Sequence, residues 1–168
     1  MAETRLIQWP LTTDETDIMK TLVSSESNRT LWCGPYALAV VSGLGYDEVY
    51  TKALRKIRRD TPRYCHQPKY IKGMAERQVE AVAKVLKVPC KFNKVEGLRR
   101  TATLNSLLDY LRPNRIYIVG ITDHYAVVNT ATGMLIDNIH KEWVPVGDSK
   151  HARCRVEEVA EVKRHKVF

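Results

Sequence analysis

The apolar residues of this chain change their period once, at Asn114, and that change decides the class of fold. Ahead of it they recur at helical spacing. Behind it they come in short β-branched and aromatic runs, Ile116–Ile121, His124–Asn129 and Met134–Asn138, with a Thr-Ala-Thr-Gly turn between the last two. Three consecutive strands of this kind predict an antiparallel meander. Glu142–Val146 and Cys154–Val156 read as added edge strands, Pro145 barring the first from a central place because it cannot donate to a ladder. Helices followed by sheet make an α+β chain, and 168 residues make one domain, residues 1–168, with 1–30 as a loose polar arm.

Within the helical part, Leu31–Gly43 is apolar on nearly every side and ends in glycine, which predicts a short buried helix. Pro35 suits its first turn, where a missing N–H costs nothing, so Cys33 falls at or just before the helix N-terminus. Tyr46–Arg59 reads as an amphipathic helix with acids early and bases late. Residues 60–73 read as an exposed loop, Met74–Leu86 as a third helix, and Val88–Phe92 as a short strand. Thr103–Arg112 reads as a helix capped by Thr103 and stopped by Pro113.

No apolar run near the first residue has the length of a signal peptide, and none anywhere approaches a membrane span, so the expectation is a cytoplasmic chain that does not enter a membrane. Cys33, Cys65, Cys90 and Cys154 are far apart, with no Cys-x-x-Cys pair, so neither disulfides nor a structural metal is expected. Gly43-Leu44-Gly45 matches no phosphate-binding loop. No cofactor is expected.

Three residues point to nucleophilic chemistry. Cys33 at a helix N-terminus feels the positive end of the dipole, which lowers a thiol's pKa. His124 opens a strand of the meander and Asp137 lies across the following turn, so a hairpin can bring the carboxylate to one imidazole nitrogen while the other faces the thiol. Each residue also has a plain reading: a small core thiol, a structural histidine, a strand-end turn residue. The order of the three along the chain favours the joint one. His66, His140, His151 and His165 lie in polar or basic stretches and receive no role, although His140 is close to Asp137.

The segment Trp32-Cys33-Gly34-Pro35-Tyr36-Ala37-Leu38-Ala39 resembles the nucleophile helix of papain-like cysteine peptidases. The nearest forms are the small bacterial and phage-encoded ones and the domains that trim bacteriocin leaders. Leu104–Leu108, Tyr117–Gly120, His124–Val128 and Ile136–Asn138 are similar to that group's following helix, strand, His strand and Asp strand, so the likeness spans roughly residues 30–140. The resemblance implies a papain-like fold with N-terminal helices packed on a C-terminal antiparallel sheet. It also implies a hydrolase of the cysteine (thiol) protease type acting on a protein or peptide, with Cys33 as nucleophile, His124 as base and acid, and Asp137, or in second place Asn138, as the orienting group. Where the family has a glutamine ahead of the nucleophile this chain has Ser27-Asn28-Arg29, which makes Asn28, with the Cys33 N–H, the expected oxyanion donor.

The net charge of +8 opens a reading from another class. Arg55, Lys56, Arg58 and Arg59, with Arg63, Lys69 and the aromatic Tyr64 and Tyr70 nearby, form a basic stretch able to hold nucleic acid or an acidic partner, and Lys163–Lys166 forms another. On that reading the chain is a non-catalytic papain-like protein or an unrelated basic one.

Overall fold

A computed structural model describes residues 31–95 and 103–163. The chain is α+β, as the change of period predicts. Helix α1 (Cys33–Ser42) leads, followed by α2 (Tyr46–Asp60) and α3 (Glu76–Val85), strand β1 (Phe92–Lys94) and the one-turn helix α4 (Leu104–Leu107). Strands β2 (Ile116–Ile121), β3 (His124–Asn129), β4 (Met134–Ile136) and β5 (Val144–Pro145), a 3-10 turn (Val146–Asp148) and β6 (Val156–Glu161) complete it. One antiparallel sheet runs in the order β1-β6-β2-β3-β4-β5.

Helix α1 is buried from Gly34 to Val41 and lies between α2, α3 and β3, which is why its sequence is apolar all round rather than on one stripe. Gly43 ends it in the left-handed conformation, φ 71°, returning its N–H to the Ala39 carbonyl at 3.0 Å. Helix α2 buries Tyr46, Val49 and Ala53 against it and turns its basic residues outward. Truncating Leu38, fully buried in this cluster, to alanine would cost about 2–5 kcal/mol.

Every residue of β2 is buried because the sheet is covered on both faces. Ile116 and Ile118, with Tyr125 and Val127 of β3, join the core under α1–α3. Tyr117, Val119 and Ile121, with Ala126 and Val128, join a second core closed by Leu104 and Leu107 of α4 and by Val146.

Three elements depart from the sequence expectation. The strand expected at Val88–Phe92 begins only at Phe92: Pro89 has no N–H to give, and its carbonyl is taken by Lys163 N–H at 2.8 Å. The helix expected over Thr103–Arg112 stops at Leu107, although Thr103 caps it as expected, its Oγ1 accepting from Ser106 N–H at 3.3 Å; the Arg112 N–H goes to the Tyr117 hydroxyl at 3.1 Å instead of to a helical carbonyl. Cys154–Val156 is not an edge: the strand runs from Val156 to Glu161 and is inserted between β1 and β2. Pro145, by contrast, does sit in the edge strand β5. The expected arm 1–30, with Asn28, lies outside the described residues, as does the end of the Lys163–Lys166 stretch.

Candidate active site

Cys33 is the first residue of α1, and the segment that delivers it is pinned from two sides. Trp32 N–H donates to the Tyr46 hydroxyl at 2.8 Å, and Asn138 Nδ2 donates to the Leu31 carbonyl at 2.9 Å. Gly34 is required here by close approach, since a Cβ on it would meet Met74 Sδ at 2.9 Å. Met74 is held in turn by its carbonyl, which accepts from the buried Tyr125 hydroxyl at 2.9 Å. His124 follows the tight Thr122-Asp123 turn, where Asp123 takes φ 53°, a conformation that aspartate tolerates better than most residues. Asp137 directly follows β4.

The structure brings Cys33, His124 and Asp137 together. His124 Nε2 donates to Asp137 Oδ2 at 2.8 Å, and His124 and Cys33 line the same cleft, near enough for each to shift the other's titration. Because Nε2 is occupied, Nδ1 is the nitrogen left for the sulfur. Burial alone would raise the Cys33 pKa. The hydrogen bond with His124, backbone N–H groups of Tyr125 and Gly34, and the charge of His124 outweigh it and hold the thiol below its ordinary value. Burial likewise works against the imidazolium of His124, yet its bonds to Asp137 and Cys33 raise it to about 9. Asp137 is held well below the usual carboxylate range: its burial is outweighed by the hydrogen bond from His124, then by the backbone N–H and ring of His140.

Asp137 does two jobs, one with each oxygen. Oδ1 accepts from the N–H groups of Ile139 (3.1 Å) and His140 (2.7 Å), which is the turn chemistry expected of an aspartate at a strand end, and from His140 Nδ1 at 2.7 Å. Oδ2 accepts from His124 and from His151 Nε2, each at 2.8 Å. The side chain is fully buried, so three imidazoles surround one carboxylate. His140 Nε2 accepts from Lys150 N–H at 3.2 Å, so that ring is held between the Lys150 backbone and Asp137 Oδ1. His151 lies with its ring centroid 4.7 Å from that of His124; burial and the charges of His124 and His140 hold its pKa down despite Asp137. His124, Asp137 and His151 also place three ligand-type atoms within 4.8 Å of one another, a set able to take a metal ion.

Sequence reasoning gave His140 and His151 no role, and no short-range signal marks them: His151 lies in a polar stretch fourteen residues beyond Asp137. Asn138, second choice for the orienting group, serves the chain entering α1 rather than His124. Of the basic stretch, Arg55, Arg58 and Arg59 are exposed, Lys56 pairs with Asp60 at 3.0 Å, and Arg58 also donates to the Pro68 (2.7 Å) and Lys69 (3.4 Å) carbonyls, fastening the loop. Arg55, Lys69 and Lys72 line a groove of about 710 Å³ with Trp32, Tyr50 and Tyr70.

No helix among the described residues is long and apolar enough to cross a membrane. Comparison of the chain with protein-family models, with curated proteins and with solved structures returned no match.

Proposed function

We propose that the protein is a thiol hydrolase that cleaves an amide bond of a protein or peptide, with Cys33 as nucleophile, His124 as acid and base, and Asp137 as the residue that orients His124. The observation that carries this reading is a half-buried thiol held below its ordinary pKa by a histidine that is itself held by a fully buried carboxylate. A core thiol needs no such arrangement. A papain-like arrangement, with the nucleophile at the start of a buried helix, His at the start of a strand and Asp just after the next one, belongs to the same proposal.

The steps follow from the geometry. Cys33 thiolate adds to the carbonyl carbon while the oxyanion takes the Cys33 N–H, which as a first-turn amide has no helical acceptor. His124 gives its Nδ1 proton to the leaving nitrogen, the C–N bond breaks, and a thioester remains. Water then loses a proton to His124, adds to the thioester carbon, and releases the acid and the thiolate. Asp137 accepts the Nε2 proton's hydrogen bond throughout and keeps the ring in one orientation. The experiment is the pH dependence of Cys33 alkylation by iodoacetamide, read for each cysteine by mass spectrometry, in wild type and His124→Ala. The reading requires Cys33 to react well below pH 8 and to lose that advantage in the variant.

A second reading, binding of nucleic acid or an acidic partner, is favoured by the groove of Arg55, Lys69 and Lys72, whose Lys72 ammonium stands 5.2 Å from the Tyr70 ring centroid. It requires oligonucleotide affinity that falls steeply with salt and collapses in Arg55→Glu/Lys69→Glu while Cys33 alkylation is unaltered.

A further inference from the structure

The cleft that holds Cys33 and His124 has a volume of about 760 Å³, and Glu76, Asp123, Glu157 and Glu158 line it, although the chain as a whole is strongly basic. Lys72 and Arg77 reach the cleft too, but each also borders a neighbouring groove, Lys72 beside Arg55 and Tyr70, Arg77 beside Asp60 and Thr61. The four acids border neither of those grooves.

Glu158 is the unusual member. It is only 7% exposed and lies on β6 opposite Gly120 of β2. A Cβ on Gly120 would stand 2.7 Å from Glu158 Cγ and 2.8 Å from its Oε1, so β2 leaves the place of a side chain empty where this carboxyl lies. Among the described residues neither Glu158 nor Glu76 forms an ion pair with a lysine or arginine. The hydrogen-bonding partner of Glu158 is Glu76, another acid, and the cation whose charge acts on it is Lys94, its cross-strand neighbour on β1. Burial, that hydrogen bond and the charges of Glu76 and Glu157 push the carboxyl up to about 8. A buried carboxyl without an ion pair costs free energy that a hydrocarbon of the same size would not. Its place in the cleft that Cys33 lines is explained if the pairing cation arrives with the substrate.

We propose that this wall is a subsite for a cationic side chain: the substrate cleaved by Cys33 presents a lysine- or arginine-type group to Glu158 and Glu76 close to the scissile bond. The inference rests on the thiol-hydrolase reading above. When the ammonium or guanidinium enters, it supplies Glu158 with the paired cation that its neighbour Glu76, another acid, does not.

The test uses three peptide vinyl sulfones that differ only at one of the two positions nearest the electrophile, carrying lysine, norleucine or glutamate, with the rate of Cys33 labelling read by intact-protein mass spectrometry. The thiolate adds across the carbon–carbon double bond and the neighbouring carbon takes a proton, so the readout is one stable thioether. The lysine probe is expected to label about tenfold or more faster than the glutamate probe, with norleucine between. In Glu158→Gln, and separately in Glu76→Gln, the lysine-to-norleucine ratio is expected to fall to within about twofold of unity; a ratio taken within one variant cancels any change in the thiol itself. Labelling of Cys33 without a preference for lysine, or a preference that survives both substitutions, overturns the subsite and leaves the hydrolase reading standing. A Cys33 inert to every probe and to iodoacetamide in the folded protein overturns both.

Discussion

Cys33 and Cys90 are the same residue type at similar depth, both half-buried against the core under α1–α3, and their surroundings act on them in opposite directions. Cys33 is held below its ordinary pKa, whereas Cys90 is pushed up to about 12 by burial and by the charge of Glu80. Burial acts upward on both. What separates them is the partner: a histidine backed by a buried carboxylate and two backbone N–H groups at Cys33, a carboxylate at Cys90. The lowered thiol is therefore made by neighbours brought from β3 and from the segment after β4, and depth alone would have raised both.

The widest expected gap is between the two thiols themselves. With a pKa of about 12, only about one Cys90 in 10⁵ is thiolate at pH 7, so native-state alkylation should modify Cys33 about a thousandfold or more faster than Cys90. Modification of both at similar rates before unfolding would break the comparison. Next in size, His124→Ala should remove the hydrogen bond and the positive charge while leaving burial in place, so that Cys33 titrates upward and its alkylation at pH 7 slows by about tenfold or more. Cys90, which does not touch His124, should keep its rate, and that constancy separates a local effect from general loosening.

Both predictions rest on residues that could be named from the chain. The strands Ile116–Ile121 and His124–Asn129 match the sequence expectation residue for residue, because short β-branched and aromatic runs bounded by polar turns suit strands buried on both faces. Helices α1 and α2 begin and end within two residues of it for the same kind of reason, a glycine stop in one and an apolar stripe in the other. Strand β6 was not legible beyond its first residue: Val156-Glu157-Glu158-Val159-Ala160-Glu161 carries three carboxylates, and only pairing with β2 and β1 makes it a central strand. The same limit applies to the site. Cys33, His124 and Asp137 show themselves through chain order and type. His151 reaches Asp137 through a fold-back after the 3-10 turn, and Glu158 reaches the cleft because Gly120 lies opposite, neither of which leaves a local pattern.

A smaller effect tests how far the support of Cys33 extends. Asp137→Asn keeps the size of the side chain but removes the charge, and its amide N–H₂ must face either the His124 and His151 N–H donors or those of Ile139 and His140. The His124 ring, titrated by NMR, should move down from about 9 by about one unit or more. The sign follows from the charge: a carboxylate favours the imidazolium, and burial, left unopposed on that side, disfavours it. The urea midpoint at pH 7 should fall by the equivalent of about 2–4 kcal/mol, since buried donors lose their acceptor. An unshifted His124 would mean that the sulfur, rather than Asp137, sets its protonation.

The least effect is expected at the other thiol, and it bears on the same comparison from the inert side. Glu80 Oε1 accepts from the Phe92 N–H at 2.8 Å, a bond that glutamine can keep, so Glu80→Gln removes a charge without removing an acceptor. Burial is the larger cause of the raised Cys90 pKa and Glu80 the lesser. The substitution should therefore lower it by about one unit at most, with a stability change within about 0.5 kcal/mol, leaving Cys90 unreactive at pH 7. If Glu80→Gln instead made Cys90 alkylate at a rate near that of Cys33, charge alone would suffice to switch a half-buried thiol. The histidine at Cys33 would then be needed only to accept and return protons, not to make the thiolate.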